Sequence, residues 1–135
     1  MSGDEADAGD APYHAHIYHE AGQRAASDAL HAELTVLKAA RPDLRMVGKL
    51  REGPVGPHPL PQFEVHFLKR ALPEMTALIA ASGLRALIHP LTDDDLADHT
   101  ALGTWLGGGP LDLDLSVMDP PGRNQGVPRF GKVDF

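Results

Sequence analysis

Histidine is the residue type that dominates the chemistry of this sequence. Eight histidines occur among 135 residues, and the chain has no cysteine. Five of the eight lie in short motifs: His14-Ala15-His16, Gly56-Pro57-His58-Pro59, His89-Pro90 and Asp98-His99-Thr100. Imidazole is the commonest metal ligand in proteins and a common general base near neutral pH. The motifs therefore predict a metal site or an acid–base site, provided that the fold brings them together.

Composition narrows the choice of metal, partner and location. Without cysteine an ion must be held by imidazole and carboxylate, which favours iron, manganese, zinc, nickel or copper over an iron–sulfur cluster. The net charge of −7 argues against a nucleic-acid partner. No apolar run approaches the roughly 18 residues that a membrane span needs, and residues 1–11 lack the features of a secretory signal. We expect a cytoplasmic protein that binds neither nucleic acid nor a membrane.

The order of the predicted elements indicates a single α+β domain. Hydrophobic periodicity predicts strands over 13–18, 44–50, 63–68 and 84–88, helices over 23–40 and 73–82, a helical turn over 101–106 and a last strand over 111–117. This is the βαββαβ order of a ferredoxin-like fold, with an antiparallel sheet, both helices on one face and an extra C-terminal strand. We expect the domain to cover 12–118, between a disordered tail over 1–11 and an irregular tail over 119–135. The sheet face without helices is then left for a ligand or a second subunit, and a homodimer is the expected assembly.

Strand alternation places His14, His16 and Tyr18 on one face of the first strand, with the two imidazoles about 7 Å apart. The proline-rich loop over 51–61 is stiff enough to hold His58 in place, and His89 ends the fourth strand, where a side chain commonly faces a crevice. A single histidine is more often a hydrogen-bonded residue without a function than a ligand or base. For His58, a solvent-exposed position on a stiff connector is as good an interpretation as a position in a site. A solvated acidic turn is expected at Asp93-Asp94-Asp95, and no functional role is expected for the remaining histidines: His19, His31 and His66.

Four motifs in order resemble the DOPA 4,5-dioxygenase family. They are Tyr13-His14-Ala15-His16-Ile17-Tyr18, Gly53-Pro54-Val55-Gly56-Pro57-His58-Pro59, Leu87-Ile88-His89-Pro90, and Asp98-His99-Thr100 with Trp105-Leu106-Gly107. The resemblance runs from about residue 13 to 118. It implies a ferredoxin-like α+β fold and extradiol ring cleavage of a catechol such as L-DOPA by dioxygen at a non-haem ferrous iron. The product would be a seco-DOPA that cyclises to a pigment. The sequence departs from the family pattern after Thr92, where a glycine is expected soon after the threonine.

The resemblance leads to an assignment of roles. We expect His16, His58 and His89 to bind the iron, one from each of three motifs, and His14 and His99 to act as acid and base. Exchanging the two sets fits the sequence almost as well. An all-imidazole ligand set carries no charge. If one ligand is a carboxylate instead, Glu64 is the best candidate by its strand position. The remaining assignments are Arg51 for the substrate carboxylate, Tyr18 and Trp105 on either side of the ring, and Asp98 as the acceptor that orients a histidine.

Two other classes of function stay open. A non-catalytic ferredoxin-like module that binds a small molecule or dimerises through its free sheet face predicts no metal and no spectral change with catechols. A different histidine-based metalloenzyme, such as a zinc or nickel hydrolase or isomerase, predicts a redox-inert metal and an activity that is indifferent to oxygen. Fold alone does not decide between these classes.

Overall fold

The computed structural model describes residues 9, 11–54, 57–92 and 94–118. Its strands are β1 Pro12–Tyr18, β2 Leu44–Val47, β3 Gln62–Leu68, β4 Ala86–Pro90 and β5 Thr104–Leu106. Its α-helices are α1 Arg24–Ala40, α2 Leu72–Ser82 and α3 Asp95–His99, and two 3₁₀ turns lie at Lys69–Ala71 and Leu115–Val117. The predicted tails over 1–11 and 119–135 lie outside the described residues, apart from residues 9 and 11.

The five strands form one antiparallel sheet in the order β2-β3-β1-β4-β5. The predicted ferredoxin-like α+β fold is confirmed. β1 is the central strand and pairs with β3 on one side and β4 on the other. Side chains of β1 are therefore surrounded by those of two neighbouring strands, which positions the first histidine motif in the middle of the sheet.

The hydrophobic core lies between the sheet and the two long helices. Ala15 and Ile17 of β1 point to this side, and Leu34 of α1 and Ile79 of α2 pack over them in one cluster of buried residues. The three- and four-residue spacing of apolar residues in α1 forms the stripe that faces the sheet. Gly83 ends α2 in a left-handed conformation with φ 76°, which is common for a glycine just after a helix.

The extra strand is present, but it is not the segment that the alternation predicted. Residues 111–114 have no regular structure and Leu115–Val117 is a 3₁₀ turn, while Thr104–Leu106, predicted as a helical turn, is β5 at the edge of the sheet. Gly107 follows β5 with φ 73°, and a Cβ there would lie 2.3 Å from the backbone oxygen of Leu84. A glycine is needed for that close approach. Because β5 occupies the edge beside β4, the alternating segment over 111–117 does not pair with that edge.

The second face of the sheet is covered, contrary to the expectation that it is left free. His14 and His16, which point to this side, are both 0% exposed within one chain. The proline-rich loop lies over them together with the segment after α3, and the amide of Asp114 donates a hydrogen bond to the oxygen of Pro57 at 2.8 Å. The proposed site is therefore enclosed by the chain's own loops. None of the described helices has the length and apolarity that a membrane crossing requires.

Candidate metal centre

Strand register assembles the first part of the site. His14 of β1 lies opposite His66 of β3 and His89 of β4, and His16 lies opposite Glu64. Paired residues of neighbouring strands point to the same face of a sheet. Three imidazoles thus form a row across three strands, with Glu64 and His16 in the next row, and all five side chains are buried.

The other two motif histidines reach this face from outside the sheet. His58 in the proline-rich loop lies with its ring centroid 3.9 Å from that of His16. His99, the last residue of α3, lies 4.1 Å from His89 by the same measure. Both rings are at most 1% exposed. The five histidines of the sequence motifs therefore converge on one buried site.

Hydrogen bonds donated by the Nδ1 atoms orient these rings. His89 Nδ1 donates to the oxygen of Pro90 at 2.7 Å, and His99 Nδ1 donates to the oxygen of Asp95 at 2.9 Å. A carbonyl oxygen can only accept, so each Nδ1 carries the proton and the Nε2 of the neutral ring carries a lone pair. His16 Nδ1 faces two acceptors, Gln62 Oε1 at 3.2 Å and a carboxylate oxygen of Glu64 at 3.4 Å.

The lone pairs point towards one another. His16 Nε2 and His89 Nε2 are 2.9 Å apart, a distance at which two lone pairs require a positive partner between them, either a shared proton or a metal ion. Two groups of three histidines each bring one ring nitrogen per residue within 4.8 Å of the others, and both groups contain His16. The first is His14, His16 and His89, and the second is His16, His58 and His99. Buried nitrogen donors suit a divalent transition metal, so the residues fit such an ion.

The predicted ligands His16, His58 and His89 and the predicted acid–base pair His14 and His99 thus share one site. His16 and His89 belong to the first group of nitrogens, and His16 and His58 belong to the second. Each predicted acid–base histidine also completes one group. The three predicted ligands do not together form one of these groups, so proximity does not favour this division, and it stays a prediction.

A third cluster, of His14, Glu64 and His66, satisfies the same distance criterion but has the wrong geometry for an ion. The rings of His14 and His66 stack at 3.6 Å with an interplanar angle of 10°. An imidazole binds a metal in its own plane, and an ion midway between these rings would lie about 1.8 Å, half of 3.6 Å, out of both planes. His66 Nε2 instead donates a hydrogen bond to Glu64 Oε1 at 2.8 Å, a contact that the sequence did not reveal.

The two predicted aromatic residues lie side by side. Tyr18 is fully buried, its hydroxyl is 2.6 Å from His58 Nδ1, and its ring stacks on Trp105 at 5.9 Å and 15°. Tyr18 therefore supports His58 and Trp105. Arg51 pairs through its backbone with Gln62, the neighbour of His16 Nδ1, and its role towards a substrate carboxylate stays a prediction.

The acidic segment before His99 is not a solvated turn, because Asp94 and Asp95 are both built into α3. The Asp94 side chain accepts from the amide of Ala97 at 3.0 Å and caps α3, while Asp95 is only 8% exposed and lies under His99. Asp98 accepts two hydrogen bonds from Thr92, at 2.6 and 2.9 Å, and so ties the loop after β4 to α3. Its predicted hydrogen bond to a histidine stays a prediction. Asp93 lies outside the described residues.

A cavity of about 350 Å³ opens beside His99. Its wall contains Trp105 and Thr100, and the remaining lining residues come from the segment that the sequence predicted as a strand: Pro110, Leu111, Asp112, Leu113 and Leu115. The volume and the apolar wall suit a molecule with one aromatic ring. The strand prediction concealed this wall, because the alternating leucine and aspartate residues over 111–113 line the cavity instead of pairing in the sheet.

Comparison with known proteins agrees with this geometry. The model of the Dopa 4,5-dioxygenase family matches residues 13–117. The chain belongs to this family. It is 31% identical over 116 residues to an uncharacterized 21.2 kDa protein of Botryotinia fuckeliana, which covers 76% of this chain and 61% of that protein. It is 29% identical over 109 residues to a DOPA 4,5-dioxygenase of Amanita muscaria, covering 75% and 47% of the two chains. The chain thus spans about half to three fifths of the length of these curated relatives.

The fold also matches a solved structure. The crystal structure of a candidate dioxygenase from Nostoc punctiforme PCC 73102 superimposes with a TM-score of 0.66 and 30% sequence identity, covering 79% of this chain and 90% of that one. The family and the fold predicted from the four motifs are therefore both confirmed. All four motifs lie within the matched residues, and all four contribute to the five converging imidazoles.

Proposed function

We propose that this member of the family is a ring-cleaving dioxygenase that uses non-haem ferrous iron and dioxygen to open a catechol such as L-DOPA beside its two hydroxyl groups. The observation that supports the proposal best is the buried group of five imidazoles next to an apolar cavity of about 350 Å³. A site of this kind in a dioxygenase-type family favours oxygen chemistry over the two alternative classes.

His16, His58 and His89 would hold the iron as a neutral set of three ligands, which leaves coordination positions for other groups. When bound, ferrous iron supplies the redox and Lewis-acid chemistry that a catechol and dioxygen require. The chain's contribution is to fix the donors. His89 and His99 are anchored by backbone carbonyls, and Tyr18 supports His58.

The other residues have roles in binding and in proton transfer. His99 lines the cavity and can accept a catechol proton as the substrate enters, while His14 lies deeper and can return a proton later in the reaction. Trp105 offers a face for the catechol ring, and Arg51 would hold the carboxylate of an amino-acid substrate. The enclosed site excludes water from the reacting groups.

The proposed reaction balances without a further reductant. One dioxygen is consumed for each catechol, the carbon–carbon bond adjacent to the diol breaks, and both oxygen atoms enter the product. One end of the opened ring becomes an aldehyde and the other a carboxylate. With L-DOPA the open product can then cyclise to a yellow pigment.

The test begins with anaerobic reconstitution by ferrous iron. L-DOPA, dopamine and plain catechol are then added with air, and oxygen uptake, visible absorbance and the mass of the product made under ¹⁸O₂ are measured. We expect equal consumption of oxygen and catechol and one labelled oxygen retained in the new carboxylate, while the label in the aldehyde can exchange with water. The variant His31→Gln is the matched control, since His31 lies on α1 and bonds to the oxygen of Gly48 outside the site.

Three results would contradict the proposal. Iron binding without oxygen uptake for any catechol excludes the substrate class, activity that is indifferent to oxygen favours a hydrolase or isomerase, and failure to bind iron favours a non-catalytic module. Light scattering on the same preparation tests the homodimer, which we also propose.

A further inference from the structure

Glu64 carries a buried carboxylate on the sheet side of the imidazole site, and the proposed mechanism does not use it. The residue is 0% exposed. Its Oε1 accepts a hydrogen bond from His66 Nε2 at 2.8 Å. Its Oε2 lies 3.5 Å from His14 Nδ1 and 3.4 Å from His16 Nδ1. One carboxylate therefore faces three imidazoles, two of which belong to the candidate metal centre.

We propose that Glu64 is a positioning residue of the metal centre. It orients His14 and His16 by attracting their Nδ1 protons, so that Nε2 of His16 would face the ion and Nε2 of His14 stays available for proton transfer. The inference rests on the proposed function for the presence of an ion, but the ring orientations exist without one. Carboxylates that accept from the far nitrogen of a ligand histidine fix its tautomer and raise its basicity as a ligand.

The geometry separates this role from direct ligation. His16 directs Nδ1 towards Glu64 and Nε2 towards His89, which is 2.9 Å away. The two nitrogens of one ring point in different directions, so an ion held by Nε2 of His16 and by His89 lies on the far side of the ring from the carboxylate. The stacked rings of His14 and His66 also exclude an ion shared by the Glu64 cluster.

His66 and Gln62 complete the arrangement. His66 uses Nε2 to hold Oε1, which leaves Oε2 directed at the two site histidines. Gln62 Oε1 is a second acceptor at 3.2 Å from the same Nδ1 of His16. A buried carboxylate is costly unless it is paired and hydrogen-bonded, and here Oε1 accepts from His66 while Oε2 faces the Nδ1 atoms of His14 and His16. Its negative charge also favours a cation on the other side of the His16 ring.

The test uses Glu64→Leu, which removes the acceptor, and Glu64→Gln, which keeps an oxygen without the charge, with His31→Gln as control. Long-range ¹H–¹⁵N NMR of histidine-labelled, ion-free protein reports the tautomers. We expect a protonated Nδ1 on His14 and His16 in the wild type, whether or not His16 Nε2 also shares a proton with His89. In Glu64→Leu we expect this Nδ1 protonation to be lost, most clearly at His14, because Gln62 Oε1 remains an acceptor for His16. Chelator competition with Zn²⁺ and Co²⁺ measures affinity. We expect about 10- to 100-fold weaker binding for Glu64→Leu, a smaller loss for Glu64→Gln, and a Co²⁺ absorption spectrum of unchanged shape.

The two measurements keep failures apart. An unprotonated Nδ1 on His14 and His16 in the wild type overturns the inference whether or not an ion binds, and so does wild-type affinity in both variants. Loss of binding by more than about 1,000-fold in both variants, together with an altered Co²⁺ spectrum, would make Glu64 a ligand instead of a positioning residue. If Glu64→Leu does not fold, the affinity of Glu64→Gln alone tests the inference: a reduced affinity supports it, and wild-type affinity overturns it. A wild type that binds no ion defeats the proposed function, while the NMR result still decides the orientation.

Discussion

The substitution Tyr18→Phe removes one atom from the contact between the imidazole site and the cavity wall. The Tyr18 hydroxyl lies 2.6 Å from His58 Nδ1, and the residue is fully buried. Phenylalanine keeps the ring and therefore the stacking on Trp105 at 5.9 Å. The hydroxyl is the only group lost, so the variant isolates its effect on His58.

The magnitude follows from what the hydroxyl does for the ring. If His58 presents Nε2 to an ion, Nδ1 carries the proton and donates to the Tyr18 oxygen. Without that acceptor a buried N–H loses its partner, which costs about 1–3 kcal/mol of the free energy of unfolding. Loss of a group that orients a metal ligand weakens metal binding by about 10- to 100-fold, or about 1.4–2.8 kcal/mol.

The chain supplies a matched control, because its other tyrosine lies on the same strand. Tyr13 belongs to β1 but points to the core face and stacks on Phe67 at 6.0 Å. Urea unfolding of ion-free protein gives the stability of Tyr18→Phe and Tyr13→Phe, and Zn²⁺ titration against a chelator gives the affinity. We expect a loss of affinity for Tyr18→Phe alone. Wild-type affinity in Tyr18→Phe, or an equal loss in Tyr13→Phe, would refute the reasoning.

Three further predictions concern proton transfer, pH and backbone conformation. His99→Ala should bind iron with wild-type affinity but lose at least about 100-fold in kcat, measured by oxygen uptake; loss of the iron would instead make His99 a ligand. Hydrogen bonds from Arg41 hold the pKa of Asp43 below its ordinary value of 3.8, so the carboxylate stabilises the fold above that pH and ceases to do so as the pH falls through the folded pKa. Asp43→Asn should therefore lower the free energy of unfolding by about 1–2 kcal/mol at neutral pH and by progressively less as the pH falls below 3.8, as measured by urea unfolding, and a deficit that does not change with pH would contradict this. Gly107→Ala should destabilise by about 2 kcal/mol or more, since its φ is 73° and a Cβ would lie 2.3 Å from the oxygen of Leu84; an unchanged urea midpoint would contradict the close approach.

Local alternation was sufficient to predict how β1 builds the site. His14 and His16 share a face because side chains alternate along any strand, and a helix period in α1 showed which side the core occupies. Those two periodicities gave the ferredoxin-like order and the face that carries the histidines. The convergence of His58 and His99 on that face was supported only by the motif resemblance, because local sequence does not show where distant segments meet.

The same signal failed over 111–117 for a physical reason. Alternation shows only that the two sides of an extended segment meet different surroundings, and a strand also needs a partner with unpaired backbone groups. β5 occupies the edge beside β4, which Gly107 makes possible through its approach to Leu84. Pairing is decided between distant parts of the chain, so no window of sequence around residue 111 contains the information.

Burial of the histidine face favours a functional origin for the site. A sheet with helices on one side would ordinarily turn a polar second face to water, and histidines there would cost nothing. Here loops enclose that face, so Glu64 and the imidazoles around it lose their hydration and must be satisfied by one another. Apolar residues would fill the same space more favourably. The fold buries apolar residues on the helix side, as local rules predict, but buries polar residues over one continuous surface on the other side. We attribute that difference to the chemistry of this surface.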